Sequence, residues 1–299
     1  MIELRQVTKK FGSRTALEAL DLIVPKGEIY GLLGQNGAGK STAIGIMLGQ
    51  VWPTSGQVRL LGHDVFRRRQ QALLKVGAIF ESPVFYDYLT GWRNLEIFTC
   101  YSGGASKKRM AEVVEWVGLK GEEHRKVKTY SHGMRARLAL AQALLPGPEL
   151  LILDEPGDGL DPEGIHEMRN TILRLRQELG LTILFSSHLL PEVEQLCTRI
   201  AVLNKGRKIF EGTVAQARQF GQWFRLETSD FERAAAMLRA AGLIKAVRDG
   251  RLIAPADGAG SDRIAKYLVE NGLPVFELAR HEETLETFYM SLMRRDRSA

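Results

Sequence analysis

The residues with the plainest chemical purpose are Gly34-Gln35-Asn36-Gly37-Ala38-Gly39-Lys40-Ser41-Thr42. Glycines let a backbone bend tightly and bring its N–H groups against an anion. Lys40 offers a point charge for the β- and γ-phosphates of a nucleotide, Ser41 a hydroxyl suited to Mg²⁺, and Thr42 a donor for a more distal phosphate oxygen. A second set lies far along the chain, where Leu150-Leu151-Ile152-Leu153 ends in Asp154 and Glu155. A carboxylate closing an apolar strand can hold Mg²⁺ through water, which suits Asp154, and Glu155 beside it can orient or deprotonate an attacking water. His188 follows another apolar run, Leu181 to Phe185 capped by Ser186-Ser187. A lone histidine is more often structural, but one at the end of a strand stands where ligands bind in open α/β sheets and can contact a γ-phosphate.

Elements of the right kind surround these residues. Ile29-Tyr30-Gly31-Leu32-Leu33 reads as a buried strand leading into the glycine-rich turn, and Thr42 to Leu48 as the helix that follows it, whose positive end faces the same anion. Ile2-Leu4-Val7 and Leu20-Leu22-Val24 alternate as half-buried strands do. Between them Phe11 has two readings, an aromatic stacked on an adenine ring or a loop aromatic covering a sheet edge. Gln57 to Gly62 and Val76 to Phe80 are further strands, and Arg67-Arg68-Arg69 belongs to a surface helix with no assigned ligand. Helical periodicity over Trp92–Tyr101 and Lys107–Val117, then from Tyr130 to Leu145, marks an insertion at about 85–145. A helix to about Leu179 and strands at Ile200–Leu203 and Lys208–Phe210 complete an alternation that defines an α/β domain over 1–220. Over 221–299 the texture shifts to a small α+β domain, with strands at Phe224–Thr228, around the Asp249-Gly250 turn and at Val275–Leu278, and helices at Phe231–Ala241, Ile264–Glu270 and Leu285–Met293. No catalytic cluster falls there, which makes it a docking or dimerisation module.

The composition bounds the remaining possibilities. At 299 residues the chain can bury a sizeable core. Its net charge of +6 fits an anionic ligand or lipid headgroups nearby, although most such charges simply solvate a surface. The two cysteines, Cys100 and Cys197, have no metal-ligand partners in the sequence and read as free thiols of a reducing compartment. No apolar run approaches a membrane-spanning helix, and the start lacks a signal peptide's charged and apolar regions.

Taken together these residues resemble an ATP-binding cassette subunit, the nucleotide-binding half of an ABC transporter, over roughly residues 1–215. Gly34 to Thr42 resembles Walker A, and Leu150 to Glu155 Walker B with its catalytic glutamate. Ser131 and Gly133 of Tyr130-Ser131-His132-Gly133-Met134 match the serine and one glycine of the LSGGQ signature. Gly159-Leu160-Asp161 resembles the D-loop, His188 the switch histidine and Phe11 the adenine-stacking aromatic. The sequence departs from the family's pattern in its histidine and methionine within the signature, in Asp158, and in Glu81, which stands where the Q-loop glutamine is usual. These departures, and an ending Glu282-Glu283-Thr284-Leu285-Glu286-Thr287-Phe288 like the tail domain of drug-exporter ATPases, are similar to the subgroup that exports peptide antibiotics and lantibiotics.

The resemblance implies an α/β P-loop cassette with a mixed sheet and an inserted helical subdomain, hydrolysing ATP to ADP and phosphate. It implies catalysis by Glu155, His188 and Lys40, nucleotide contacts from Phe11, Gly34, Asn36, Gly37, Gly39, Lys40, Ser41 and Thr42, and Mg²⁺ on Ser41, Asp154 and Glu81. Ser131 and Gly133 would reach the nucleotide of a second copy, or of a homologous ATPase, in a head-to-tail dimer. The partners implied are separate multi-spanning permease subunits at the cytoplasmic face of the membrane, with no nucleic acid. Coupling would run through the loop near Glu81 and the helices after Tyr88. The alternatives are a soluble cassette ATPase acting on ribosomes or DNA, a non-catalytic ATP-binding regulator, and a transporter subunit for an unrelated substrate. A single phosphate loop and the absence of a long coiled-coil insertion weigh against the first, and Asp154, Glu155 and His188 together against the second.

Overall fold

Alternating burial along Ile2–Phe11 (β1) and Arg14–Val24 (β2) produces an antiparallel pair, with Ile2 opposite Val24 and Phe11 opposite Arg14. The computed structural model describes residues 1–80, 84–101, 104–219, 223–281 and 284–298. Lys9, Lys10 and Phe11, read from the sequence as part of the link between two short strands, continue β1 instead, because each pairs with a residue of β2. The chain then forms Ile29–Leu33 (β3), buried at every position, and turns into Lys40–Met47 (α1), most of which is also buried. Ser55–Leu60 (β4) and His63–Asp64 (β5) return to the first sheet, whose order is β2-β1-β4-β5. Arg69–Leu73 (α2) holds only the last residue of the basic run, since Arg67 is tied to the side chain of Asp64 ahead of the helix. It leads into Val76–Ile79 (β6).

The inserted helices come next: Gly91–Tyr101 (α3), Lys107–Trp116 (α4) and His132–Leu144 (α5), which pack on one another. Ser106 caps α4 and Ser131 caps α5, each accepting a backbone N–H from the first turn, as hydroxyls at helix starts do. Leu150–Asp154 (β7) and Pro162–Leu179 (α6) follow. Asp161 caps α6, Pro162 opens it, and Gly180 ends it at φ 64°, so each boundary has its chemical cause. Met168, Ile172 and Leu175 form its buried stripe. Thr182–Ser187 (β8) runs past the expected end at Phe185, because Asp154 of β7 pairs with Ser186 and both serines are buried. Leu190–Leu196 (α7), Arg199–Asn204 (β9) and Arg207–Thr213 (β10) complete the unit.

The larger sheet has the order β10-β9-β3-β8-β7-β6, parallel except for β10 against β9. Strands β3, β7 and β8 are buried along their whole length, as continuous apolar runs in a parallel sheet demand. One core joins the two sheets through α1: Leu4, Leu22 and Val58 belong to the same cluster as Ile44, Met47, Leu32, Ile152 and Leu184. The start of α1, and with it the glycine-rich turn, is therefore anchored by burial.

Contacts divide the chain into a first compact unit, Met1–Thr213, and a second, Val214–Ala299. The sequence places this boundary at about 220; Val214–Arg218 (α8) goes with the second unit because it packs against Leu285–Ser298 (α11). Between them lie Trp223–Thr228 (β11), Phe231–Ala240 (α9), Ile244–Arg248 (β12), Leu252–Pro255 (β13), Ser261–Glu270 (α10) and Val275–His281 (β14). The antiparallel order is β12-β13-β11-β14, with Phe224, Leu226 and Ile253 packed against Leu238, Ile264 and Leu268 of the two helices. Asp249 and Gly250 both take positive φ, the turn geometry that matches the twist of a hairpin. Glu282 and Glu283 of the tail motif lie outside the described residues.

The sheet and the inserted helices meet at Gly77, where a Cβ would overlap the carbonyl oxygen of Ala143 on α5. Two backbones in contact have no flexible side chain to give way. Gly77→Ala is expected to destabilise the chain by about 1–3 kcal/mol, the usual cost of forcing an extra carbon into a packed interior. Urea unfolding measures it, and an unchanged midpoint would mean that α5 can move aside.

Candidate functional site

The glycine-rich turn works at van der Waals limits. A Cβ on Gly34 would stand 2.7 Å from both Ala38 Cβ and the Leu203 carbonyl, and one on Gly39 would stand 2.8 Å from the Ala16 carbonyl. Gly39 also holds φ 109°, a conformation that side chains rarely adopt, as the residue capping α1. The turn borders a cleft of about 430 Å³ lined by Phe11, Asn36, Gly37, Gly39, Lys40, Ser41, Thr42 and Glu155. Gly34 does not line it; its carbonyl accepts from Lys40 Nζ at 2.8 Å. Phe11 is 51% exposed at one end of the cleft, with Lys9 Nζ 4.6 Å from its ring centre. Arg14, Ala16 and Gln35 also line it. The sequence reading missed Arg14 and Ala16, because nothing in their spacing ties β2 to a turn that only the fold brings beside it.

Lys40 is 5% exposed and would be costly there without a counter-charge. Glu155 supplies one at 3.1 Å. The same carboxylate contacts His188 Nδ1 through its other oxygen. Burial pushes the Glu155 carboxyl upward, but the hydrogen bonds and charges of His188 and Lys40 outweigh it and hold the carboxyl below its ordinary range. All three residues expected to be catalytic thus meet at one carboxylate.

Ser186 holds the strand end that carries that carboxylate. Its hydroxyl donates to Asp154 Oδ1 and accepts from the Glu155 backbone N–H at 3.0 Å, while its carbonyl accepts from the same N–H at 3.1 Å. Glu155 is held at φ 48°, an unusual conformation for a residue with a side chain. The one available sequence signal was a serine pair continuing an apolar run.

A second cleft of about 480 Å³ adjoins the first through Ser41 and Glu155, and is also lined by Asp154, Asp158, His132 and Arg135. Arg135 reaches Asp87 at 2.8 Å. Neither Ser131 nor Gly133 lines either cleft; Ser131 spends its hydroxyl on the Met134 N–H at 3.2 Å. Asp154 is 7% exposed and shares this cleft with Ser41. One buried carboxylate and one hydroxyl, with phosphate and water oxygens for the rest, are the hard donors that Mg²⁺ takes. Among the described residues no group of three or more His, Cys, Asp or Glu would hold a metal alone. Glu81, the third expected metal ligand, lies outside the described residues.

Comparison with known proteins identifies what the chain resembles. A family profile described as ABC transporter matches residues 17–158. The chain is 38% identical over 296 residues to the bacitracin transport ATP-binding protein BcrA of Enterococcus faecalis, covering 98% of this chain and 96% of that protein. It is 41% identical over 211 residues to the lantibiotic transport ATP-binding protein SrtF of Streptococcus pyogenes, covering 71% of this chain and 90% of that one. It also resembles a solved ATP-binding cassette, a dimer in a post-hydrolysis state bound to ADP and Pi, with TM-score 0.64, 26% identity and coverage of 72% and 99%.

On the expectation that Lys40 receives phosphate, its ion pair with Glu155 competes with that contact. Glu155→Gln is expected to bind ATP at least as tightly as the wild type, by equilibrium titration, while hydrolysing it at least about a hundredfold more slowly. Weaker binding would show that pair and phosphate do not compete. The pair also sets a pH dependence. With the folded-state pKa lowered from 4.5, its contribution to stability is complete above that value and is lost as pH falls through the lowered one. The acid limb of a stability–pH profile should therefore be shallower in Glu155→Gln below about pH 4.5.

Proposed function

The chain belongs to the ABC transporter ATP-binding proteins, and on that premise we propose that it powers export of a peptide antibiotic or a similarly amphipathic drug through separate membrane subunits. The chain is an ATPase, and its relatives include ATP-binding proteins named for bacitracin transport, lantibiotic transport and linearmycin resistance. The observation that carries the reading of the site is the convergence of Lys40 and His188 on Glu155, beside Asp154 and at the mouth of the phosphate turn. The breadth of the match to the bacitracin relative, which takes in the second unit, supports the choice of cargo class. Among the described residues no helix is long and apolar enough to cross a membrane, so coupling to transport calls for a partner that does.

In this reading the turn's backbone N–H groups and Lys40 receive the phosphates of ATP, and Phe11 stacks on its base. Ser41 and Asp154 would hold Mg²⁺, which supplies charge neutralisation at the phosphate oxygens when bound. As Lys40 turns to the phosphates, Glu155 is released to take a proton from the attacking water, and His188 holds the far side of the same carboxylate. Ser131 and Gly133, which line neither cleft of their own chain, serve a second copy in a head-to-tail pair. Closure of that pair would exclude water from the nucleotide.

The experiment is reconstitution of the chain with its membrane subunit in vesicles, reading ATP hydrolysis and peptide export together. A bacitracin-type or lantibiotic peptide is expected to stimulate hydrolysis and to be exported. Lys40→Ala is expected to lose both, with hydrolysis reduced by about a hundredfold or more, because Lys40 is the charged donor of the phosphate turn. Turnover near the wild-type rate in Lys40→Ala would remove the turn from the site. Stimulation by unrelated solutes alone would overturn the cargo class and leave the ATPase.

A further inference from the structure

One carboxylate lies behind the site and takes no part in the mechanism above. Glu192, on α7, accepts from the Ser187 hydroxyl at 3.3 Å through Oε2. That hydroxyl in turn accepts from the Leu189 N–H at 3.0 Å. Ser187 and Leu189 are the two neighbours of His188, and one hydroxyl links them both to the Glu192 carboxylate, Ser187 directly and Leu189 through it. The other oxygen, Oε1, is buried and has no hydrogen-bond partner among the described residues. It lies 3.1 Å from where a Cβ on Gly157 would stand, with Oε2 at 3.4 Å. Gly157 does not hold the left-handed φ that would by itself require glycine, so it is the carboxylate that limits a side chain there. Gly157 also accepts from the Leu160 N–H at 3.2 Å, within the loop that follows Glu155. The space beneath Glu192 is closed by Phe185, Ile172, Leu196 and Arg169. Burial pushes the Glu192 carboxyl upward, with Glu155 adding to the rise, against the Ser187 hydrogen bond and the charges of His188 and Arg169.

We propose that Glu192 is a positioning residue for ATP hydrolysis, its carboxylate fixing the Ser187–Leu189 turn that carries His188 and setting the height of the Gly157 loop that follows Glu155. Both partners in the Glu155–His188 contact are then aligned from one group behind them. An unpartnered buried oxygen is a cost that packing alone would remove by using an apolar residue. Here the carboxylate also stands where it would limit a side chain at Gly157, so one group bears on both the histidine turn and the loop after Glu155. The inference rests on the roles given above to Glu155 and His188.

The test is steady-state ATP hydrolysis by the full chain, with kcat and KM determined separately and folding checked by thermal unfolding. Glu192→Ala is expected to lower kcat about tenfold to a hundredfold with KM for ATP unchanged, the signature of misplaced reacting groups. Glu192→Gln, which keeps an acceptor for Ser187, is expected to restore most of kcat. Gly157→Ala is expected to lower kcat in the wild type but to add nothing in a Glu192→Ala background, where the methyl has room. Should Glu192→Ala fail to fold, Ser187→Ala carries the same expectation of reduced kcat at unchanged KM. A folded Glu192→Ala or Ser187→Ala with wild-type kcat, a Glu192→Gln as slow as Glu192→Ala, or strict additivity with Gly157→Ala would overturn the proposal. Wild-type kcat in His188→Ala would overturn this inference and the site reading together, whereas an inactive His188→Ala beside a fully active Glu192→Ala overturns this one alone.

Discussion

The site depends on one buried hydroxyl. Ser186 of β8 donates to Asp154 and accepts from the Glu155 N–H, which is possible only because β7 and β8 pair with Asp154 opposite Ser186. A parallel strand slipped by one residue would turn every side chain to the other face, so the register is held by the whole buried length of both strands. The hydroxyl and carbonyl of Ser186 together hold Glu155 at a positive φ that a free chain would avoid, at a cost on the order of 1–3 kcal/mol. Strain of this kind persists only where the surroundings over-determine it. Here two apolar strands and a doubly accepted N–H do so, and the strained residue is the one on which Lys40 and His188 converge.

The phosphate turn is fixed by a different means. Its glycines are crowded by backbone rather than by flexible side chains: the carbonyls of Ala16 and Leu203 stand where Cβ atoms would go. The Gly206 N–H donates to the Ala38 carbonyl at 2.9 Å, pinning the turn to the β9–β10 hairpin as well. The first sheet, the larger sheet and α1 share one apolar core behind the turn, so its backbone is held by packing and by neighbouring backbone.

Much of this was legible in the sequence where chemistry and periodicity coincide. The turn, the acidic strand end and His188 declared themselves by residue type, and the alternating segments of both units by pattern. Fully buried strands such as β8 were harder to bound, because an apolar run ends in sequence wherever its first polar residue stands. Ser186 and Ser187 are polar yet buried, and only the partner strand shows that they continue the ladder. Arg14 and Ala16 were missed for a topological reason, since β2 reaches the cleft through sheet packing that spacing does not encode. The roles of His132 and Arg135 as cleft walls were likewise hidden, because the signature pattern directs attention to Ser131 and Gly133 between and before them. Glu192 carries no motif at all; only the fold shows that its carboxylate meets the hydroxyl beside His188.

The contact between Lys40 and Glu155 also bears on the life of the chain before it works. A lysine sealed to 5% exposure would ordinarily make a ligand-binding domain depend on its ligand to fold, because a buried, unpaired ammonium costs several kcal/mol. Here Gly34 and Glu155 satisfy it from within. The fold therefore supplies the counter-charge of its own buried lysine, and the cost of burying that ammonium is met by residues of the chain itself.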